Sequence, residues 1–400
     1  MLTMMELKNF EQHIRNLSKQ NKEPEWLLSK RLEAYNTFKS KPMPNFIYGL
    51  NINMNIDLDL GNIDASSSGK PAISIKNNNK NVIIEDFKGM LKNHESILRE
   101  KFMSLIGAND KFTLFHNSFL DSMTFVYVPK NTEAKEPIEI SSKANCKASL
   151  SHLLILAEDN SKLTLVEDSK GGIEEGSYSS RIVEIFAGNN STLNYGNVQL
   201  LNERSFNYAV KRASIGKNST LNWMDCCLGS KVTLSEVTTF LDGEGAATSN
   251  YGAFFGGKSQ QFDLVAKSIH NAPRTVSDIL TKGALTGSAK CLYRGLVRIE
   301  SNAFGSNGYQ KEDTLLLSSD ASADSIPNLE IENNDVRCTH GASIGRIDRE
   351  KLFYMQSRGL NEGLATREYV KGFFEPMLQK IQVKHLTDNL YDVIRGVGRE

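Results

Sequence analysis

An excess of charge of either sign is absent from the sequence. Its 400 residues include 47 Lys or Arg and 47 Asp or Glu, so the formal net charge at pH 7 is zero. Proteins that bind nucleic acid normally carry a basic excess or a run of Lys and Arg, and this sequence has neither. We therefore expect no nucleic-acid partner.

Long apolar runs and a cysteine framework are absent as well. No apolar run approaches the ~18 residues that cross a membrane. The N-terminus becomes charged at Glu6 and Lys8, too early for a secretory signal. The five cysteines are odd in number and contain no C-x-x-C pair, so a disulfide framework is not expected. These absences predict a cytoplasmic protein with reduced thiols and no membrane span.

The motifs of several common enzyme classes are also missing. The sequence has no serine-nucleophile elbow, no H-E-x-x-H motif and no clear pair of carboxylates. Solenoid glycosidases and lyases place acidic or basic groups on an outer groove, and the sequence alone does not exclude such a surface. The lack of a secretion signal disfavours an extracellular polysaccharide as substrate.

The middle of the chain contains a repeated polar turn, and in the first of two series the turn is followed by alternating apolar and polar residues. Repeats within each series are 28 or 30 residues apart, and no helical periodicity lies between about 140 and 330. Turn–strand units at a constant period favour a stacked β-solenoid, because each coil buries its inward side chains against its neighbours. A β-sandwich has no reason to keep a fixed period. The first series is 160–165, 190–195 and 218–223, and the second begins at Gly229, Gly257 and Gly287.

Both ends of the chain show helical periodicity. It predicts helices over residues 1 to about 40, a further helix through 91–105, and two helices after 346. Alternation at 52–60 and the run 124–129 predict strands. The fold class is therefore mainly β: an N-terminal helical and mixed region at 1–130, a parallel β-helix core at 131–345 and a C-terminal helical domain at 346–400.

The two C-terminal helices have recognisable start and stop signals. Asp348 and Asn361 can cap their N-termini, and Gly359 and Pro376 can end them. The terminal helices can cover the ends of a solenoid, which would otherwise pair edge to edge. Their apolar surface fits either a partner-binding face or packing back on the solenoid, and both interpretations stay open.

One stretch matches a phosphate-binding loop in full. From Gly252 to Ser259 the sequence follows the pattern G-x-x-x-x-G-K-[ST], in which Lys258 reaches the terminal phosphates of a nucleotide. Such a loop functions between a buried strand and a helix, whereas the residues after Ser259 alternate as in a strand. Gly257 also falls in register with Gly229 and Gly287. We predict a solenoid turn here, and a nucleotide-binding ATPase is the alternative.

Cys338 and His340 stand two residues apart before a glycine-rich stretch. In a strand, residues i and i+2 face the same side, about 7 Å apart. A thiolate and an imidazole on one face supply two ligands for a soft or borderline metal ion, and two ligands do not complete a site. The structural alternative is a buried thiol beside a core histidine, with Val336 on the same face.

Two weaker groups complete the candidates. The polar stretch 270–275, which begins at His270, either approaches the strand of Cys338 or forms a corner of the solenoid. Cys226 and Cys227 are adjacent, so on a strand they face opposite sides and cannot act as one site. We expect both thiols to be small packing residues.

Several short segments spread along the chain carry a family likeness. They are 23–26, 126–129, 315–318, 327–331, 335–342, 352–354, 357–359 and 372–374. Together they resemble the SufB/SufD family, the scaffold subunits of the SUF iron–sulfur cluster assembly system. The resemblance covers nearly the whole chain and implies a right-handed parallel β-helix between helical ends. It also implies a non-catalytic assembly subunit.

Within that family the chain resembles SufD more than SufB. SufD-type chains carry a Cys-x-His-Gly-Ala run, which is Cys338 to Ala342 here. SufB-type chains have a glutamate in that segment and a cysteine shortly before the proline that matches Pro327. Residues 320–326 of this chain contain no cysteine. A complete SufB-type thiol site is therefore not expected.

The resemblance implies specific partners and a transient cofactor. Cys338 and His340 would lie at the interface with a SufB-type subunit and hold iron or a nascent iron–sulfur cluster there, with the partner supplying the missing ligands. The C-terminal helices would dock a SufC-type ABC ATPase, whose motion would expose the buried Cys338 and His340. A self-paired, SufB-like homodimer with two such Cys/His pairs is the alternative. The use of a flavin, the sulfur donor and the residues that contact the ATPase stay open.

Overall fold

The chain forms a parallel β-solenoid with helices at both ends. The computed structural model describes residues 4–44, 47–48, 52–53, 60, 71–107, 110–173, 176–380 and 384–396. Two nine-stranded sheets face each other, and the chain crosses from one sheet to the other at every turn. Sheet I has the order β20-β18-β16-β14-β12-β10-β8-β6-β3, and sheet II has the order β19-β17-β15-β13-β11-β9-β7-β5-β4.

The first part of the chain mixes helices with short strands. The helices are α1 (Met4–Asn21), α2 (Glu25–Ser40), α3 (Phe87–Asn93), α4 (Glu95–Lys101) and α5 (Lys111–Phe119). The strands are β1 (Ile47–Tyr48), β2 (Ile52–Asn53), β3 (Ala72–Lys76) and β4 (Ile83–Asp86).

Sixteen strands and three helices follow. The strands are β5 (Ser122–Val128), β6 (Ile138–Ala144), β7 (Ala148–Ala157), β8 (Lys162–Gly171), β9 (Tyr178–Ala187), β10 (Thr192–Leu201), β11 (Phe206–Ile215), β12 (Thr220–Cys227), β13 (Val232–Leu241), β14 (Ala247–Gly256), β15 (Gln261–His270), β16 (Val276–Leu285), β17 (Lys290–Ile299), β18 (Asn307–Leu316), β19 (Ser322–Ile331) and β20 (Arg337–Arg346). The helices are α6 (Arg349–Ser357), α7 (Glu362–Leu378) and α8 (Lys384–Gly396).

The predicted β-helix is confirmed. In each sheet eight strands run parallel, and one antiparallel strand, β3 or β4, ends the sheet on its N-terminal side. The repeated motif stacks on itself, since Leu193 pairs with Leu163 on one side and with Leu221 on the other. The division of the chain at 130 and 345 stays a prediction.

A ladder of asparagines forms one corner of the early coils. Asn131, Asn160, Asn190 and Asn218 have φ between 53° and 60°, in the left-handed region that asparagine tolerates better than most residues. The side-chain amides of the last three each donate to the asparagine oxygen one coil below, at 2.8, 3.2 and 3.4 Å. The repeated asparagine therefore satisfies both the backbone angle and the stacking of the turn.

The opposite corner confirms that the stretch from Gly252 to Ser259 is a solenoid turn. It comprises the end of β14 and the turn into β15, with no helix after it, and the Nζ atom of Lys258 lies 2.7 Å from a carboxylate oxygen of Glu203. The predicted register is wrong by one residue. Lys258 and Gly287 stack on each other, and both have left-handed backbone angles. Gly257 lies one residue before Lys258 and therefore does not stack on Gly287.

The N-terminal helices pack on the outer face of sheet II. Phe112 of α5 stacks on Phe206 and Tyr208, with ring centroids 5.7 and 5.0 Å apart. Phe38 of α2 packs behind it against Phe115. The predicted helices at 1–40 are confirmed. The single helix predicted through 91–105 is wrong, because the chain forms α3 and α4 and both end before residue 102.

The C-terminal helices pack on the outer face of sheet I. Val370 and Phe374 of α7 share an apolar cluster with Val198 and Leu280 of the sheet. Asp348 and Asn361 cap α6 and α7 as predicted. Helix α7 continues for two residues past Pro376, so this proline lies in the last turn of the helix and does not end it.

The idea that the C-terminal helices cover the end of the solenoid is wrong. They lie on the face of sheet I, and within the described residues β20 and β19 remain the last strands of their sheets. The strand predicted at 52–60 lies mostly outside the described residues, apart from β2. Among the described helices, none combines the length and apolar character that crossing a bilayer requires.

Candidate functional site at the open end of the solenoid

Among the described residues, no further coil pairs with the last coil of the solenoid, although β2 lies beside β19. β20 forms ladder bonds only with β18, and β19 only with β17, in the part of the chain that the structure describes. Ile331 and Ile344 are exposed there because no further coil covers them. An uncovered strand edge is a template for pairing with another chain. We call this end, formed by β19 and β20, the open end.

Cys338 and His340 both lie on the interior side of β20. Their neighbours one coil below are Gly308 and Gln310, which face the space between the two sheets. Cys338 packs in an apolar cluster that includes Val336, as predicted. The two side chains therefore share one face, at the open end and above the interior of the solenoid.

A glycine beneath Cys338 makes room for its thiol. A Cβ atom on Gly308 would lie 3.1 Å from the Sγ atom of Cys338 and 2.6 Å from Val297. Partial burial raises the pKa of the Cys338 thiol, so the free side chain is protonated at neutral pH. Metal binding requires the thiolate, so binding must displace that proton.

The inference that both side chains are buried is corrected by the structure. His340 is exposed and Cys338 is only half-buried, because β20 is the last strand of sheet I. No group of three or more His, Cys, Asp or Glu side chains able to hold a metal ion occurs in the described ranges. The shortage of ligands seen in the sequence therefore persists among the described residues.

His270 forms a corner of the solenoid, which is the second of the two interpretations offered by the sequence. It ends β15 at a corner of the solenoid, and it also lies two coils below Cys338. Its Nδ1 atom is 2.7 Å from the Thr275 hydroxyl, and its Nε2 atom is 2.8 Å from the hydroxyl of Ser277. Ser277 lies directly beneath Gly308 in the register. With both nitrogens partnered, His270 is a structural histidine of the corner.

Acid should weaken the fold through His270. Burial lowers its pKa from 6.5 to about 4, so the unfolded chain binds the proton more tightly. Stability is then lost as the pH falls below 6.5. We expect the free energy of unfolding to fall by about 2 kcal/mol from this group between pH 7.5 and pH 5. In urea unfolding of His270→Gln, the free energy of unfolding should change by about 2 kcal/mol less between the two pH values. An unchanged difference would contradict the assignment of this pH dependence to His270.

The two thiols Cys226 and Cys227 are packing residues, as expected. Cys226 lies under α7 and α8 in the outer cluster of sheet I, whereas Cys227 lies in the interior. Burial raises the pKa of both thiols. The adjacent residues thus face opposite sides of β12 and do not form one site.

Sequence reasoning missed the polar interior beneath the open end. Gln310, Glu312 and Thr314 alternate along β18 toward the interior, where Cys291 and Tyr293 face them from sheet II. The surrounding sequence, Gln-Lys-Glu-Asp at 310–313, is typical of an exposed strand. The sequence shows only that neighbouring side chains of β18 face opposite sides. The pairing register of the strand shows that Gln310, Glu312 and Thr314 form the set that faces the interior.

The C-terminal helices present an exposed aromatic surface. Phe353 is 72% exposed and Tyr354 is 59% exposed, and no residue of α6 is buried. Only Ile347 and Asp348 separate β20 from α6. By contrast, α7 is fixed to sheet I, where the Nζ atom of Lys282 donates to the carbonyl of Phe373 at 2.8 Å. The exposed helix is therefore joined directly to the strand that carries Cys338 and His340.

The comparisons with known proteins fit this arrangement. Residues 139–373 match the family described as SUF system FeS cluster assembly, SufBD core domain. The chain belongs to the SufBD family. It is 29% identical to an iron–sulfur cluster assembly SufBD family protein of Staphylococcus haemolyticus, over 94% of this chain and 90% of the relative. SufBD family proteins of Staphylococcus epidermidis and Staphylococcus saprophyticus are 28% and 27% identical over the same shares of the chains.

The SufBD match covers most of the solenoid together with α6. The matched range begins in β6 and ends within α7, so it includes Cys338, His340 and the exposed aromatic residues of α6. The chain is thus a member of an iron–sulfur cluster assembly family. This confirms the family resemblance that the sequence analysis identified.

Proposed function

We propose that this SufBD protein is a SufD-like scaffold subunit of a cytoplasmic iron–sulfur cluster assembly complex. The observation that carries the proposal is the open end, where a thiol and an imidazole share the interior face of the last strand. Iron and sulfide are the cargo of such a site. A thiolate and an imidazole are suitable ligands for iron, and two further ligands must come from another chain.

The missing ligands come from a SufB-type partner that covers the open end. Strands β19 and β20 each offer an unpaired row of backbone donors and acceptors, which a partner's edge strand satisfies. A partner seated there lies directly over Cys338 and His340. It also buries the exposed Ile331 and Ile344.

One observation favours the self-paired alternative. β19 carries Asp324 and Glu330 and no basic residue, whereas β20 carries Arg337 and Arg346 and no acidic residue. Opposite charges on the two edge strands suit a two-fold dimer in which β19 of one copy meets β20 of the other. Such a dimer brings two Cys338/His340 pairs together and supplies four ligands without a second kind of subunit.

The exposed aromatic surface of α6 docks a SufC-type ABC ATPase. ATP hydrolysis then belongs to the partner, and this chain has a non-catalytic role. When ATP draws two ATPase subunits together, the movement of α6 reaches β20 through Ile347 and Asp348. The half-buried Cys338 thereby becomes accessible to iron and sulfide.

An anaerobic pull-down from the native cytosol tests the proposal. Tagged protein should recover an ABC-type ATPase and a second scaffold chain, identified by mass. Recovery of the ATPase with the bait as a dimer would support the self-paired scaffold. Lys258→Ala is the matched control, since it alters the phosphate-loop-like turn and should recover the same partners. If no ATPase is recovered and ATP binds in a Lys258-dependent way, the scaffold proposal is wrong.

A further inference from the structure

Helix α7 contains an exposed glycine, Gly372, followed four residues later by Pro376. Proline has no amide proton, so Pro376 donates no helical hydrogen bond to the carbonyl of Gly372. Beyond the backbone of α7 itself, a Cβ atom added at Gly372 would meet nothing within 4 Å in the described protein, so packing does not require a glycine there. Glycine and proline are the usual positions at which a helix bends. We therefore expect α7 to bend most easily at Gly372.

The part of α7 after Gly372 is fixed to sheet I and to α8. The Nζ atom of Lys282, on β16, donates to the carbonyl of Phe373 at 2.8 Å and lies 4.2 Å from the centroid of its ring. The hydroxyl of Tyr391 in α8 donates to Glu375 at 2.7 Å. This end of the helix also buries Phe374, Met377 and Leu378 in the apolar cluster on sheet I. It therefore moves with the solenoid.

The helical segments before Gly372 are held less firmly. No residue of α6 is buried, and α6 lies beside α7. Within 362–371, the first part of α7, the buried residues are Ala365 and Val370. Val370 lies two residues from Gly372, where a rotation about the glycine displaces it least. Leu364 is 38% exposed. We call α6 and residues 362–371 together the lever.

A second connection joins the lever to the solenoid. Ile347 and Asp348 separate the end of β20 from α6. The side chain of Ile347 packs at the margin of the apolar cluster on sheet I, and that of Asp348 caps α6. The lever is thus tied to the solenoid at 347–348 and at Gly372. A rigid element held at two points rotates about the line that joins them.

We propose that the lever rotates about Gly372 and the 347–348 connection, and that this rotation moves the end of β20. The inference rests on the proposed function, to which it adds the moving part. An ATPase bound at Phe353 and Tyr354 turns the lever. Because Lys282 and α8 hold the rest of α7 in place, the movement reaches β20 while the apolar cluster on sheet I stays packed. Hinges of this kind are a few element-terminal or loop residues that absorb a change in backbone angles.

Spin-label distances in the full chain test the lever without any partner. The labels are attached through Lys351→Cys on α6 and Lys231→Cys in the turn before β13, both at exposed positions. The chain also carries Cys146→Ala and Cys338→Ala, because the other three cysteines are buried. Double electron–electron resonance should give a broad distance distribution for this pair. The pair of Gln379→Cys and Lys231→Cys, on the fixed side of Gly372, is the control and should give a narrow one.

Gly372→Ala/Pro376→Ala should stiffen the lever. Alanine raises the helix propensity at both positions, and Pro376→Ala supplies the amide proton that the Gly372 carbonyl lacks. We expect the distribution of the 351–231 pair to narrow at least twofold. The melting temperature should not fall, because both positions are exposed. Glu368→Ala, an exposed position one turn before Gly372, is the matched control and should leave the width unchanged.

The lever is wrong if the 351–231 pair is as narrow as the 379–231 pair in the unmodified helix. It is also wrong if the double variant leaves a broad distribution unchanged. Neither outcome depends on the ATPase.

The ATPase recovered in the pull-down, with a non-hydrolysable ATP analogue, separates the lever from the proposed function. The mean distance of the 351–231 pair should shift and that of the 379–231 pair should not. Gly372→Ala/Pro376→Ala should bind the ATPase and lose the shift. If the ATPase binds and the two pairs shift equally, or neither shifts, the lever is wrong and the docking stands. If no ATPase binds but the lever moves in the isolated chain, the docking proposal fails and the lever stands.

Discussion

Replacement of both Cys338 and His340 by alanine is expected to reduce cluster formation by the assembled complex at least tenfold. These are the two proposed metal ligands on the interior face of the last strand, and removal of a ligand typically costs one or two orders of magnitude in metal affinity. The measurement is anaerobic reconstitution with iron and sulfide, followed by absorption of the cluster. Each single variant should show part of the loss.

Cys146→Ala is the matched control for the loss of a thiol. Cys146 is also partly buried, but it lies at the other end of the solenoid, where its Sγ atom contacts the carbonyl of Ala148 at 3.1 Å. Cluster formation should be unchanged in this variant. Full cluster yield from the Cys338→Ala/His340→Ala protein would remove the open end as the assembly site.

The yield from the unmodified complex should also fall in acid. Partial burial already favours the thiol form of Cys338, and a lower pH adds protons that compete with iron for its sulfur. The cluster yield of the unmodified complex is measured by the same reconstitution in a series of buffers of decreasing pH.

Loss of the ATPase partner is the expected result for Phe353→Asp/Tyr354→Asp. Exposed aromatic side chains commonly provide most of the binding energy at an interface, and a buried, unpaired carboxylate opposes binding further. Because both side chains are exposed and α6 buries no residue, the fold should persist. We expect the ATPase to disappear from the pull-down, which corresponds to at least a hundredfold loss of affinity.

Lys351→Ala on the same helix is the control for this surface. Lys351 is exposed and forms only a long ion pair with Asp348, at 3.8 Å. It should recover the ATPase at the normal level, and so should the Cys338→Ala/His340→Ala protein. If the Asp variant still binds the ATPase, α6 is not the docking helix.

The local features of the fold were accessible from the sequence. The repeated asparagines predicted the turns because asparagine tolerates the left-handed backbone that each corner requires. Asp348 and Asn361 predicted the starts of α6 and α7 because their side chains accept the first free amide protons. Cys338 and His340 were placed on one face because side chains alternate along a strand with a period of two.

The buried polar residues beneath the open end were not accessible in the same way. Alternation along β18 separates Glu312 from Asp313, but it does not say which of them faces the interior. That choice depends on pairing with β16 and β20 and on apolar contacts across the two sheets. The same limitation explains the register error of one residue at Gly257, because the left-handed residue that stacks with Gly287 is its neighbour Lys258.

By itself, the sequence determined the repeat, the turns, the helix starts, the family and the shared face of Cys338 and His340. These depend on backbone preferences and on contacts between residues close in the chain. Only the tertiary structure decided that the C-terminal helices pack on sheet I and not on the end of the solenoid, and that Glu312 is buried in the interior. Those features arise from packing between coils that are tens of residues apart, where the apolar surface of α7 can be buried on a sheet face as well as on an end.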